Sequence, residues 1–314
     1  MRRGVLKNLD DGFLALAYKF PHISSFRFLK LIKNALIQAG VNVKKIGFSG
    51  TLDPFARGQL ILATNGCTRL FPHIDKAYKT YRATMFLGCK SLSLDIENLI
   101  SIREVERLDL GLIKAAVEGM RGKISYTPPS FSDKHVGGTR AYKLAREGKE
   151  FSLEKCEMEV RLCRLMAYNH PFISFEVELS EGGFVRSICE LIATRLGVAA
   201  SLCYLERLGE GRLYYKKRLD SSRCLGLECG FNGVKHGLRL VLIDPSESLK
   251  YDRIDLSSYA KQAGWGQRFR LNKASWATGA RARIYLADFG SHYGIVDIAK
   301  DGEVKYIVNR INKC

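Results

Sequence analysis

The stretch GFSGTLDP, Gly47 to Pro54, holds a single acidic residue, Asp53, in a short turn bounded by glycines and a proline. Two readings of that aspartate stand side by side. Aspartate favours turns because its carboxylate accepts hydrogen bonds from nearby backbone N–H groups. A carboxylate presented on a tight turn is also a nucleophile or a base, able to act covalently on a substrate. Other nucleophiles find no support. The nine cysteines (67, 89, 156, 163, 189, 203, 224, 229 and 314) are odd in number and scattered, without a CxxC pair. Their nearest approach, CLGLEC from Cys224 to Cys229, lacks the usual zinc spacing, and they read as small buried apolar residues. The six histidines lie far apart with no HxxxH, so no metal site is expected.

Charge points to the partner. The 314 residues carry 50 Lys and Arg against 32 Asp and Glu, a formal net charge of +18. A field of that sign steers polyanions to the surface, so nucleic acid or an anionic membrane is expected. No apolar run reaches the roughly 18 residues needed to span a bilayer, which disfavours the membrane. The opening MRRGVLKNLDDGFLALAYKF places two arginines before an apolar stretch, but Asp10 and Asp11 interrupt it. It reads as a first strand and not as a signal peptide, which makes the chain cytoplasmic.

The elements around Asp53 follow from periodicity. FLALAYKF (13–20) predicts a strand ending near Lys19. Ser24 and Ser25 then cap a helix through FRFLKLIKNALIQAG, which Gly40 ends. GQLILATNG (58–66) predicts a buried strand, CTRLFPHI a short helix, and KTYRATMFLG (79–88) a half-buried strand. A charged helix is expected around Glu104 to Glu118. Residues 125–150, with prolines, glycines and many cations, predict a basic loop running into a helix. FISFEVELS (172–180) alternates as a strand, and an EGG turn feeds a helix through FVRSICELIATRLG. Strands and helices mix without regular βαβ repetition, so the fold class is α+β around a mainly antiparallel mixed sheet flanked by helices. Beyond about Val234, short strands with Gly, Asn and Asp between them predict a small β-rich unit, including a KDGEVKY hairpin. The expected division is 1–235 and 236–314.

GFSGTLDP resembles the nucleophile motif of the TruB family of tRNA pseudouridine synthases, close to G-H-x-G-T-L-D-P. Other blocks follow in family order. YKFPHISSF surrounds Lys19, KTYRA carries Tyr81, PPSFSDK carries Lys134, GGFVRSI carries Arg186, and YLERL carries Leu205. They run over about 190 residues, from Lys19 to Arg207. The resemblance implies a pseudouridine synthase fold with a PUA-like C-terminal module, a T-arm stem-loop of tRNA as partner, and isomerisation of the uridine at tRNA position 55. It assigns Asp53 as the catalytic carboxylate, Arg186 as the guanidinium that keeps it ionised and in place, and Tyr81 as the ring stacked on the target uracil, its phenol placed for proton removal at C5. Lys19, Phe48, Leu205 and Lys134 are implied to shape the pocket or touch the RNA. Arg57, Arg121, Lys123, Arg140, Lys143 and Arg146 join Lys134 as phosphate contacts.

The reaction cuts the N1–C1′ bond of uridine, turns the uracil, and rejoins it through C5. Nothing is oxidised or hydrolysed, so no cofactor is expected. The base must first leave its stack, at a cost of a few kcal/mol. The sequence departs from the family in two places. Phe48 stands where the family has histidine, offering an apolar wedge but no hydrogen bond, and K-P-x-G becomes KFPH after Lys19. Without the lysine-rich tail of guide-RNA-dependent relatives, a monomer acting without a protein partner is expected. Two other classes compete: a tRNA-binding or tRNA-folding module in which catalysis is secondary or lost, and a carboxylate hydrolase acting on sugars. The hydrolase would need a second carboxylate as general acid, and the motifs place none beside Asp53.

Overall fold

The computed structural model describes residues 9–219, 223–271 and 284–313. Arg2, Arg3, Cys314 and the first residues of RARIYLADFG lie outside them. Strand β1 (Leu14–Lys19) is followed by helix α1 (Ser25–Gln38). Ser24 caps α1 by accepting the Arg27 N–H at 3.2 Å, and Gly40 ends it with φ of 87°. Phe28, Leu29, Ile32, Ala35 and Leu36 recur at helical spacing and are all buried. Strands β2 (Ile46–Ser49) and β3 (Arg57–Thr64) flank the GTLDP turn as an antiparallel pair, Ser49 opposite Ile61.

Next come β4 (Tyr78–Leu87), a β5–β6 hairpin (Cys89–Ser91 and Leu99–Ile102), helix α2 (Leu110–Glu118) and β7 (Gly122–Tyr126). The charged helix expected from Glu104 thus starts only at Leu110. Asp109 accepts the Leu112 N–H at 3.0 Å and sets the start there. The basic loop holds a two-residue ladder, β8 (His135–Val136) with β9 (Thr139–Arg140), and helix α3 (Ala141–Arg146). Two long strands follow, β10 (Cys156–Asn169) and β11 (Phe172–Ser180), then helix α4 (Val185–Arg195), β12 (Ala200–Glu210) and β13 (Leu213–Tyr214).

Strands β14 (Cys224–Phe231) and β15 (Val234–Ile243) complete an eleven-stranded sheet. Its main order is β14-β15-β1-β3-β12-β4-β11-β10-β7, with β2 added to β3 and β13 to β12. Every pairing is antiparallel except β3 with β12. β15 pairs with β1, Leu14 opposite Ile243, so a division at 235/236 would cut a strand of this sheet. The pairing argues for a division after Ile243.

The rest is a five-stranded sheet in the order β16-β18-β19-β20-β17. Its strands are β16 (Arg253–Asp255), β17 (Phe269–Arg270), β18 (Ile284–Asp288), β19 (His292–Ile298) and β20 (Glu303–Asn312). No helix among the described residues is long and apolar enough to cross a membrane.

Period-two alternation gives the large sheet two buried faces. Ala15, Ala17, Leu60, Leu62, Ala83, Met85, Phe175 and Val177 pack with α1, α2 and α4 on one face. Leu14, Leu16, Ile61, Ala63, Val241 and Ile243 pack on the other with Leu286, Ile295 and Val308 of the small sheet. The small sheet therefore shares a core with β1. Ile295→Ala is expected to destabilise the chain by about 2–4 kcal/mol. Urea unfolding followed by both far-UV and aromatic signals should show one shifted transition, because the lost contacts reach the large sheet.

Candidate active site

The turn carrying Asp53 is held at three successive residues. Ser25, the first residue of α1, accepts the Leu52 N–H at 2.9 Å and donates its hydroxyl to the Leu52 carbonyl at 2.9 Å. Asp53 closes the turn by accepting the Ala56 N–H on its carbonyl at 3.1 Å. Lys19, fully buried at the end of β1, donates to the carbonyls of Pro54 (3.1 Å), Ile23 (2.7 Å) and Phe20 (3.1 Å). The His22 N–H also reaches the Pro54 carbonyl, at 2.8 Å. An ammonium group with three donors matches three carbonyls. Burial pulls Lys19 down to about 8 from its ordinary value near 10.5, against the opposing pull of Asp53 and Glu97.

The Asp53 side chain meets Arg186. The guanidinium Nη2 donates to Asp53 Oδ1 at 3.0 Å and to the Phe131 carbonyl at 3.0 Å. Its Nη1 donates to the Ser93 carbonyl at 3.0 Å and lies 3.6 Å from Asp95 Oδ2. Arg186 occupies the second position of α4, whose first turn faces the core, so the guanidinium is only 4% exposed. The Asp53 side chain keeps 29% exposure. The arrangement is a carboxylate fixed from behind by a buried cation and open in front, the geometry a nucleophile or base requires.

Against the expectation that no second carboxylate stands beside Asp53, Asp95 shares its guanidinium. Asp95 grips the other arm of the same guanidinium. It accepts the Ser93 hydroxyl at 2.6 Å and the Glu97 N–H at 2.9 Å, and burial pushes its carboxyl upward. Glu97 is pushed upward by burial, then by Asp95 and Asp53. At 1% exposure Asp95 cannot hand a proton to a sugar oxygen. Its only sequence signal is the spacing S-x-S-x-D at 91–95, which places Ser93 to bond its carboxylate.

The remaining candidates spread out. Tyr81, 8% exposed, sits on β4 opposite Arg207 of β12, on the sheet face that carries the helices. Leu205 lies opposite Ala83 in the same core, 5% exposed. Phe48 on β2, opposite Leu62, is half-buried against that core. Lys134 lies in the basic loop, its carbonyl accepting the Ala141 N–H at 2.7 Å and its Nζ 3.9 Å from Cys156 Sγ. It is not brought to Asp53; the loop reaches the site through the Phe131 carbonyl. Arg57 stacks over the Tyr204 ring, Arg140 pairs with Asp133, and Arg121, Lys123, Lys143 and Arg146 are exposed. Among the described residues no three His, Cys, Asp or Glu side chains gather as a metal site would need.

Comparison with known proteins identifies the family of the chain. The family model described as TruB family pseudouridylate synthase, N-terminal domain, matches residues 38–185. The chain is 38% identical over 304 residues to tRNA pseudouridine synthase B of Helicobacter hepaticus, covering 96% of each chain. It is 37% identical over 305 residues to the protein of the same name from Campylobacter jejuni, covering 95% of this chain and 98% of that one. The chain belongs to the TruB family.

Among solved structures, the archaeal box H/ACA sRNP Nop10-Cbf5 complex matches with a TM-score of 0.62 at 16% identity, covering 99% of this chain and 88% of that one. At that identity the likeness shows the fold. The matched TruB segment contains Asp53, Tyr81, Asp95 and Lys134 and stops one residue short of Arg186. Ser25, expected as a helix cap, instead turns its hydroxyl to Leu52 and holds this turn.

Lys19 provides a check on how the turn is held. The folded chain releases its proton near pH 8 and the unfolded chain near 10.5, so between those values the unfolded state binds more protons and stability gains with pH. Relative to Lys19→Met, the unfolding free energy of the wild type should rise across pH 8 to 10 by up to about 1.4 kcal/mol per pH unit. Parallel urea-denaturation profiles for the two proteins would show that Lys19 does not titrate in that window.

Proposed function

We propose that this protein isomerises a uridine of tRNA to pseudouridine, the target being the T-arm loop uridine at tRNA position 55. The observation that carries the reading is the Asp53 carboxylate, half-open on its turn and bonded at 3.0 Å to the buried Arg186. It sits in a chain 38% identical to a tRNA pseudouridine synthase over 96% of both lengths.

Asp53 acts on the nucleoside at C1′, as nucleophile or as the base that begins an elimination. Either route breaks N1–C1′, forms C5–C1′, removes the proton from C5 and leaves one on N1, so the product is an isomer of the substrate. Arg186 holds the attacking carboxylate in place through its hydrogen bond to Oδ1, and Asp95 holds Arg186 from the far side. Tyr81 stacks on the extruded uracil and takes part in proton removal at C5. Lys19 braces the turn, Leu205 walls the pocket, and Phe48 and Lys134 meet the RNA.

The net charge of +18 supports RNA as the partner. The exposed cations of residues 121–146 suit the backbone around the flipped nucleotide. The C-terminal sheet, read as PUA-like, grips the tRNA away from that loop. The protein acts in the cytoplasm as a monomer without a protein partner.

Incubation with unmodified tRNA transcript, followed by pseudouridine mapping, tests this directly. Wild type should convert the T-loop uridine, and Asp53→Asn should lose about 10⁴-fold or more in rate while still binding. Binding without conversion by wild type would favour the tRNA-folding module. Transcript affinity should fall at least about tenfold between 50 and 200 mM salt. A flat salt profile would argue against a broad basic RNA surface.

A further inference from the structure

Resting on the pseudouridine reading, we propose that Arg207 is a positioning residue that closes the base of the turn carrying Asp53 and locks it to the strand carrying Tyr81. The contacts come from one guanidinium. Its Nη2 donates to the Gly50 carbonyl at 3.1 Å, where the chain leaves β2. Its Nε donates to the Gln59 carbonyl at 2.7 Å, where the chain has entered β3. Ser25 and Lys19 hold the middle of the turn, and Arg207 fixes both of its ends. Arg207 is also the register partner of Tyr81 across β12 and β4.

The glycines at the two ends of the turn make room for this residue, Gly50 for its side chain and Gly58 for its backbone. Gly50 has φ of 67°, and a Cβ there would stand 3.3 Å from Arg207 Nη1 and 3.1 Å from Lys79 Nζ. Gly58 has φ of 119°, and a Cβ there would collide with the Arg207 backbone. Next along β12, Glu210 accepts the Ser49 hydroxyl at 3.3 Å and pairs with Lys79 at 3.7 Å. The end of β12 therefore holds Ser49 as well as Gly50.

Fold stability alone accounts poorly for an arginine here. Arg207 is 1% exposed, no carboxylate of the described residues lies within 4.0 Å of it, and its Nη1 is buried without a hydrogen-bond partner. A buried guanidinium in that state is a cost to the folded chain. Its gain lies in geometry. A carboxylate must stand within a few tenths of an ångström of its reacting carbon, and a displacement of about 1 Å can slow a reaction 100-fold.

The test is single-turnover pseudouridine formation on unmodified tRNA transcript, with transcript affinity and melting temperature measured on the same preparations. Arg207→Gln should slow the chemical step about 100-fold with affinity and melting temperature close to wild type. Arg207→Lys, which keeps the charge and a donor but loses the fixed guanidinium fork, should recover part of that loss. A wild-type rate in Arg207→Gln, or a loss that follows affinity or melting temperature alone, would overturn the proposal. If Arg207→Gln does not fold, Arg207→Lys decides: a slowed step at unchanged affinity supports the role, and an unchanged rate removes it. Failure of the wild type to convert the transcript would instead overturn the functional reading on which the proposal rests.

Discussion

A guanidinium without water around it must find its counter-charge and acceptors in the protein, and Arg186 finds them on three separate segments. Asp53 comes from the turn after β2, Ser93 and Asp95 from the hairpin after β4, and Phe131 from the basic loop. Isolated charges of this kind cost several kcal/mol when buried, so each acceptor is obligatory. The site is thus assembled by the demands of one cation. Two carboxylates share it, yet they are not equivalent. Asp95 is sealed and bonded to Ser93 and Glu97, whereas Asp53 offers only Oδ1 to the guanidinium and keeps part of its side chain in the open. One carboxylate serves the arginine, and the arginine serves the other.

Holding the Asp53 side chain would achieve little if its backbone could drift. The turn has only a few residues between β2 and β3, and nearly all its anchoring bonds involve main-chain groups: Leu52 to Ser25, Pro54 to Lys19, Gly50 to Arg207. Side chains from α1, β1 and β12 thereby fix a segment that makes no strand ladder of its own. This is the economy expected of a functional loop, rigid because its surroundings are.

Much of this was legible in the sequence. Asp53, Arg186 and Tyr81 stand in local motifs, and α1 and α4 announce themselves by apolar spacing and turn residues. What escaped reading has a physical pattern. Asp95 itself, and the parts Ser25 and Arg207 play at the turn, depend on groups 27 to 157 positions away in the chain, two of them main-chain carbonyls that no side-chain pattern reveals. The strand β10 was not recognised because bulges at Val160/Leu162 and Leu165/Ala167 break its alternation. Residues 104–109 have the charged composition of a helical surface, but Asp109 caps α2 and leaves them outside it. The division near 235 groups β15 with the small sheet, since a strand buried on one face by the helices and on the other by a second sheet resembles, in sequence, the short strands that follow it.

β1 explains why the small C-terminal sheet bears on the chemistry at all. Ala15 and Ala17 face the helices, and Leu14 and Leu16 face Ile295, Val308 and Leu286 across the second core. The next residue but two, Lys19, carries the strand's last side chain to the Pro54 carbonyl beside Asp53. Packing of the C-terminal sheet and placement of the carboxylate therefore meet on a strand of six residues. Close-packed interiors transmit small displacements along such an element because they have no slack in which to absorb them. The packing of the C-terminal sheet and the alignment of the Asp53 turn therefore share a mechanical connection only a few residues long.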